Sequence, residues 1–231
     1  MALFALGDLH LSFANPKPME IFGSVWNRHE EKIARGWQRV IGPKDLVIIP
    51  GDISWALRLA EAVPDLNWLG GLLGQKLLIR GNHDYWWSGI GKVRNALPAG
   101  VFALQNDHFP WGELAICGSR GWIVPGDKMY EPEQDDRIYK RELERLELSL
   151  ASAVKAGYKQ LVVALHYPPV NTKHEPSGFT ELFCRYPVIK CLYGHLHGEA
   201  QHSALVGQWQ GVEYFFVAAD AVNFTPVLIH D

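Results

Sequence analysis

Apolar residues in this chain gather in short unbroken runs, and each run is closed by a polar cluster. Residues 3–6, 46–49, 77–79 and 161–165 are made of Leu, Ile, Val, Ala and Phe and stop just short of Gly7-Asp8, Gly51-Asp52, Gly81-Asn82-His83-Asp84 and His166. Hydrophobicity that is continuous rather than alternating, over segments this short, predicts strands covered on both faces. A fifth run, 188–193, leads into Gly194-His195-Leu196-His197. Helix-like stretches fall between the runs at 20–40, at 56–73 with an interruption at Pro64, and at 132–156. The last is the best marked, with Glu131, Glu133, Asp135 and Asp136 at its start and Gly157 just beyond its end, as the helix dipole and the left-handed C-terminal residue require.

Strand alternating with helix predicts an α/β fold, and polar clusters at strand ends lie where open α/β sheets hold their ligands. Beyond residue 200 the pattern becomes strand-like, at 204–206, 212–217 and 227–230, which reads as a second sheet or an extension of the first. No Pro-, Gly- or Ser-rich linker divides the 231 residues, and the polar clusters run from residue 8 to residue 197. The expectation is one domain over residues 1–231.

Charge narrows the partners. The net charge is −3 with His neutral, and Lys and Arg are scattered, so no basic stripe suits an extended nucleic acid. Cys117, Cys184 and Cys191 are odd in number and contain no C-x-x-C pair, which argues against a disulfide framework and a structural zinc site and points to a reducing cytoplasm. The opening apolar run is too short for a secretory signal, and no run approaches the ~20 residues of a membrane span.

Asp, Asn and His at the ends of the runs form a mixed set of oxygen and nitrogen donors, better suited to Mn, Fe or Zn than to Ca or Mg. If the backbone there is extended, Asp8 and His10 share a face while Leu9 turns into apolar surroundings, and His195 pairs with His197 around Leu196 in the same way. Adjacent Asn82 and His83 should diverge, Asn82 toward a metal and His83 toward substrate. Two divalent ions need a bridging anion, and Asp52 is the candidate. Taken singly, Asp8 and Asp52 also read as caps of turn donors, Asn82 as a turn residue and His166 as a satisfied core or turn histidine. Together they put five of the ten histidines within two residues of Gly, Asp, Asn or Pro at strand ends, and that favours a metal site.

In order, these segments spell D-x-H, G-D, G-N-H-D, H and G-H-x-H across about residues 3–200. The chain resembles the calcineurin-like metallophosphoesterases. That resemblance implies a four-layer αββα sandwich, with two mixed central sheets flanked by helices. It also implies two divalent ions, one held by Asp8, His10, Asp52 and His197, the other by Asp52, Asn82, His166 and His195. The implied activity is hydrolysis of a small phosphomonoester or phosphodiester by metal-activated hydroxide. His83 is the expected proton donor to the leaving oxygen, and Asp84 beside it would favour the imidazolium if the two side chains meet. The alternative is a member of the fold that serves as a metal-binding or protein-interaction scaffold, which retention of every ligand disfavours.

Substrate choice is less legible. Trp55, Trp86 and Trp122 lie near the motifs and are candidates for a stacking wall, or else for ordinary packing over the sheets. Arg120, in a Gly-rich turn, is a candidate phosphate clamp or a partner for a carboxylate. The expected partner is a small phosphorylated molecule, with neither membrane nor long nucleic acid.

Overall fold

The computed structural model describes residues 1–231, and the continuous apolar runs are strands in it. The chain forms two compact units, Met1–Ala103 with Val217–Asp231, and Leu104–Phe216. The first is built on a five-stranded sheet of β1 (Leu3–Ala5), β2 (Leu46–Pro50), β3 (Gln75–Ile79), β4 (Val101–Ala103) and β11 (Val227–His230), in the order β11-β1-β2-β3-β4. The strands β1 to β4 are parallel, and β11 runs antiparallel on the far side of β1. Successive residues of β1 and β2 are buried on both faces. Phe4, Val47, Ile49 and Leu78 share a core cluster with Ile33 and Trp37 of helix α1 (His29–Val40) and with Ala62, Leu66 and Leu69 of helix α2 (Leu59–Gly70). The three-and-four spacing of those helical positions gives each helix its apolar stripe. A short helix α3 (Ile90–Ala96) precedes β4.

The second unit carries a six-stranded sheet. Its strands are β5 (Phe109–Trp111), β6 (Leu114–Ser119), β7 (Leu161–Leu165), β8 (Val188–Tyr193), β9 (Gly207–Trp209) and β10 (Val212–Phe216), in the order β5-β6-β7-β8-β10-β9. The four central strands are parallel and both edges are antiparallel. Ala115, Cys117, Val163, Leu165 and Cys191 pack with Leu146, Leu150 and Ala153 of helix α4 (Pro132–Lys155) and with Phe179, Leu182 and Phe183 of helix α5 (Gly178–Arg185). The expected α/β class, with two mixed sheets and flanking helices, is found.

Three local expectations are corrected. Residues 20–40 are not one helix: two 3-10 turns, Met19–Phe22 and Ser24–Trp26, precede α1. Left-handed Gly23 (φ 127°) and Arg28 (φ 52°) break the run, because neither conformation can continue a right-handed helix. Pro64 does not interrupt α2, which runs through it; one lost backbone donor is outweighed by the buried stripe. Residues 204–206 form no strand. The carbonyl of Leu205 accepts from the Tyr193 hydroxyl at 2.9 Å rather than from a ladder partner, and β9 begins at Gly207. No helix is long and apolar enough to cross a membrane.

Candidate functional site

In the first unit, three adjacent parallel strands end in motif residues: β1 before Asp8 and His10, β2 before Asp52, and β3 before Asn82 and His83. The loops beyond β1 and β2 continue the pairing of their strands. Asp8 N donates to Gly51 O (3.0 Å), His10 N to Asp52 O (2.9 Å), Leu11 N to Ile53 O (3.0 Å) and Trp55 N to Leu11 O (2.9 Å). This backbone is not extended as expected, since Asp8 (φ 57°), His10 (φ 48°) and Asp52 (φ 52°) are all left-handed. Such conformations cost of order 1 kcal/mol or more each and persist where the surroundings impose them, commonly at functional sites. The donor atoms of Asp8 and His10 nevertheless lie within 4.8 Å of one another, as do those of Asp8 and Asp52. Leu9 is buried in the first core.

Asp52 lies at the middle of these contacts. Its Oδ1 accepts from the His83 backbone N–H at 2.8 Å, and its Oδ2 stands 3.8 Å from His10 Nε2 and 4.0 Å from His83 Nε2. Such closeness needs Gly81, where a Cβ would come within 2.1 Å of Asp52 Oδ1 and 2.2 Å of its backbone nitrogen. Trp55 stacks on the His10 ring (centroids 5.0 Å apart, 22° between planes) and lies 4.3 Å from the His83 ring. Asp8, His10 and Asp52 are all buried. Two carboxylates buried this close repel unless cationic charge is shared between them, and with an adjacent imidazole they form a donor set that fits a divalent metal ion.

Asp84 plays a part its sequence position did not disclose. Fully buried, it accepts at Oδ1 from Ile53 N (2.9 Å), Ser54 N (3.1 Å) and Trp86 Nε1 (3.0 Å), and at Oδ2 from Gly81 N (2.7 Å). Burial pushes its carboxyl up to about 6, against these four N–H groups, which favour the ionised form. Asp84 thus ties the loop after β2 to the turn after β3, and the carboxylate 4.0 Å from His83 Nε2 belongs to Asp52. Beneath it Asp65 on α2 accepts from the Ser54 hydroxyl and from Phe13 N (2.8 Å), so a second buried carboxylate holds the chain beyond each of the first two motifs. Nothing in the pattern of residues singled out Asp65.

In the second unit, the adjacent parallel strands β7 and β8 end before His166 and before His195 and His197. His166 is fully buried, and its Nε2 lies 3.2 Å from His195 Nδ1. The backbone N–H groups of His166 and Tyr167 both donate to Arg120 O at 3.0 Å, and Gly194 N donates to His166 O at 3.2 Å. His195 is another left-handed residue (φ 75°), and its ring lies 4.0 Å from that of Tyr167. His197 is partly buried and stands at the entry of the 3-10 turn Gly198–Ser203.

The aromatic and arginine candidates divide. Trp86 is 1% exposed and donates to Asp84, which makes it part of the support of the turn. Trp122 donates to Asp135 at 2.8 Å and packs 5.0 Å from Tyr167. Arg120 Nη2 lies 3.6 Å from Oε1 of the fully buried Glu142, and its guanidinium stacks 4.4 Å from the Trp122 ring. Of these candidates, Trp55 is the one that packs against the motif histidines His10 and His83.

The sequence profile of the calcineurin-like phosphoesterases matches residues 1–199. The Gene 66 protein of Mycobacterium phage L5 is 32% identical over 77 residues, which are 33% of this chain and 37% of that protein. The chain thus spans about a third of the length of this curated relative. A phosphopantetheinyl hydrolase from Mycobacterium tuberculosis shares the fold, with a TM-score of 0.56 and 15% identity over 99% of this chain and 95% of that one. The profile match takes in every motif from Asp8 to His197, and the chain belongs to the calcineurin-like phosphoesterases, a family of phosphoester hydrolases.

Proposed function

We propose that this protein hydrolyses a small phosphomonoester or phosphodiester with two divalent ions. Asp8, His10, Asp52 and His197 would hold one, and Asp52, Asn82, His166 and His195 the other, with Asp52 common to both. Mn, Fe and Zn suit these donors. The observation that carries the reading is the approach of buried Asp8 to within 4.8 Å of donor atoms of both His10 and Asp52, with His10 3.8 Å from Asp52, at the ends of parallel strands in a chain of this family. The ions, when bound, supply positive charge against the phosphate oxygens and acidify water.

The protein's own side chains account for the rest. His83 is partly exposed and is held by its backbone N–H to Asp52 and by its ring against Trp55, a position from which it would protonate the departing oxygen. Its Nε2 stands 4.0 Å from the Asp52 carboxylate, so the ring lies beside the proposed ligands. Trp55, packed against both imidazoles, limits their rotation and excludes water from one side.

The test is release of nitrophenol from nitrophenyl phosphate and bis-nitrophenyl phosphate by the Mn-loaded protein, compared with Asp52→Asn. The parent is expected to turn over at least one ester, and Asp52→Asn to lose activity 100-fold or more, on the order of 3 kcal/mol of barrier. A metal-replete parent inert on a broad phosphoester panel would favour the scaffold alternative.

A further inference from the structure

The second unit contains a cavity of about 570 Å³, and the motif residue His195 lines it. Its walls are apolar: Ile123, Val124, Met129, Tyr167 and Val170. Val124 (3% exposed), Val170 (5%) and Tyr167 (6%) are held in place by packing, so this wall is already formed. Met129 is 65% exposed and stands on the irregular segment between β6 and α4, where a flexible thioether can follow the shape of a guest. Charge appears only in Asp127, Lys128 and Glu199, two acids against one base, an arrangement that gives no welcome to a second phosphate. A volume within the usual 300–1,000 Å³ range, apolar walls and few polar groups are the marks of a site for a small organic molecule.

We propose that this cavity binds the alcohol portion of the phosphoester and that the natural alcohol is bulky and uncharged. The proposal rests on the phosphoesterase reading above. His195 supplies the continuity: one of its neighbours is His166, 3.2 Å away between ring nitrogens, and another is Tyr167, whose ring is 4.0 Å off and forms part of the cavity wall. A phosphate attended by the histidines therefore places its ester oxygen toward Tyr167 and the apolar walls. Inorganic pyrophosphate has no organic group to fill the space, and nucleoside polyphosphates bring charge that the rim does not match.

The experiment compares 1-naphthyl phosphate with phenyl phosphate on the Mn-loaded protein and, separately, measures binding of 1-naphthol to the metal-free protein by its fluorescence. The parent should favour the naphthyl ester by 10-fold or more in kcat/KM and bind 1-naphthol saturably at one site. Exposed Ala200, on the cavity lining, offers a filling variant: Ala200→Trp should reduce the naphthyl preference to near unity, by lowering naphthyl turnover more steeply than phenyl turnover, and weaken 1-naphthol at least 10-fold. Met129→Ser should weaken both naphthyl readings less steeply without filling the space. Unchanged 1-naphthol binding in both variants, or equal loss on both esters, would overturn the cavity assignment. A parent that binds 1-naphthol but hydrolyses neither ester would instead overturn the phosphoesterase reading on which the occupant depends.

Discussion

Asp84 shows how a motif letter can hide its work. In the string G-N-H-D it reads as a partner for the histidine before it, yet its oxygens accept from three backbone N–H groups and one indole. Removing the carboxylate strands four buried donors, each of which costs on the order of 1 kcal/mol or more when left unmade. Asp84→Ala is therefore expected to lose about 3–5 kcal/mol in urea unfolding. Asp84→Asn should lose about 1–3 kcal/mol, because the amide keeps one acceptor oxygen but turns an NH₂ toward an N–H. A midpoint equal to the parent's for both variants would show that the loops do not depend on this clamp. The candidate ligands and their order were legible because metal chemistry favours Asp, Asn and His in such a set. The left-handed backbone that brings Asp8 and His10 together was not, since the same short D-x-H string fits an extended strand equally well.

At the scale of elements, the buried parallel strands were legible because both faces are covered and the apolar runs are unbroken. The strands β4 and β5, three residues each, and the helices α3 and α5 were not, since such short segments carry too few residues for a period to emerge. The strand β3 begins earlier than its apolar run and takes in Lys76, which is 1% exposed. Its Nζ donates to Leu72 O and to Gly74 O, the latter at 2.9 Å, and so satisfies carbonyls beyond the end of α2. Burial lowers the Lys76 ammonium from 10.5 to about 8. Below about 8 both folded and unfolded chains carry this proton, and the folded one bears the cost of burying it. Between about 8 and 10.5 only the unfolded chain keeps it, so the unfolding free energy rises with pH across that window. Urea titrations in EDTA at pH 8 and pH 10 should show the parent gaining about 1–3 kcal/mol relative to Lys76→Met. An identical pH dependence in both proteins would mean that Lys76 stays charged in the fold.

At the scale of the whole molecule, the chain returns at its end to the unit in which it began. Gly7 N donates to Val217 O (2.8 Å) and Ala219 N to Gly7 O (3.1 Å), immediately before the first motif aspartate, while β11 completes the sheet beside β1. Phe224, 2% exposed, meets the Trp26 ring edge-on at 5.3 Å, and Trp26 meets the His10 ring edge-on at 5.6 Å. A side chain near residue 231 thus supports one near residue 1 through a single intervening indole, a link that no local pattern announces because it joins positions more than two hundred residues apart. Truncating a buried phenylalanine typically costs 3–5 kcal/mol. Phe224→Ala is expected to lose stability of about that size and also to weaken Mn binding to the folded protein, because Trp26 gains room to move against His10. Phe224→Leu should restore most of both. The two effects separate in one titration series: Mn-induced change in Trp fluorescence, followed below the onset of urea unfolding, reads the site while the urea midpoint reads the core. A lowered midpoint with an unaltered Mn titration would reduce the contact to packing alone, whereas a shifted titration recovered by Leu would show that the end of the chain holds the first motif in place.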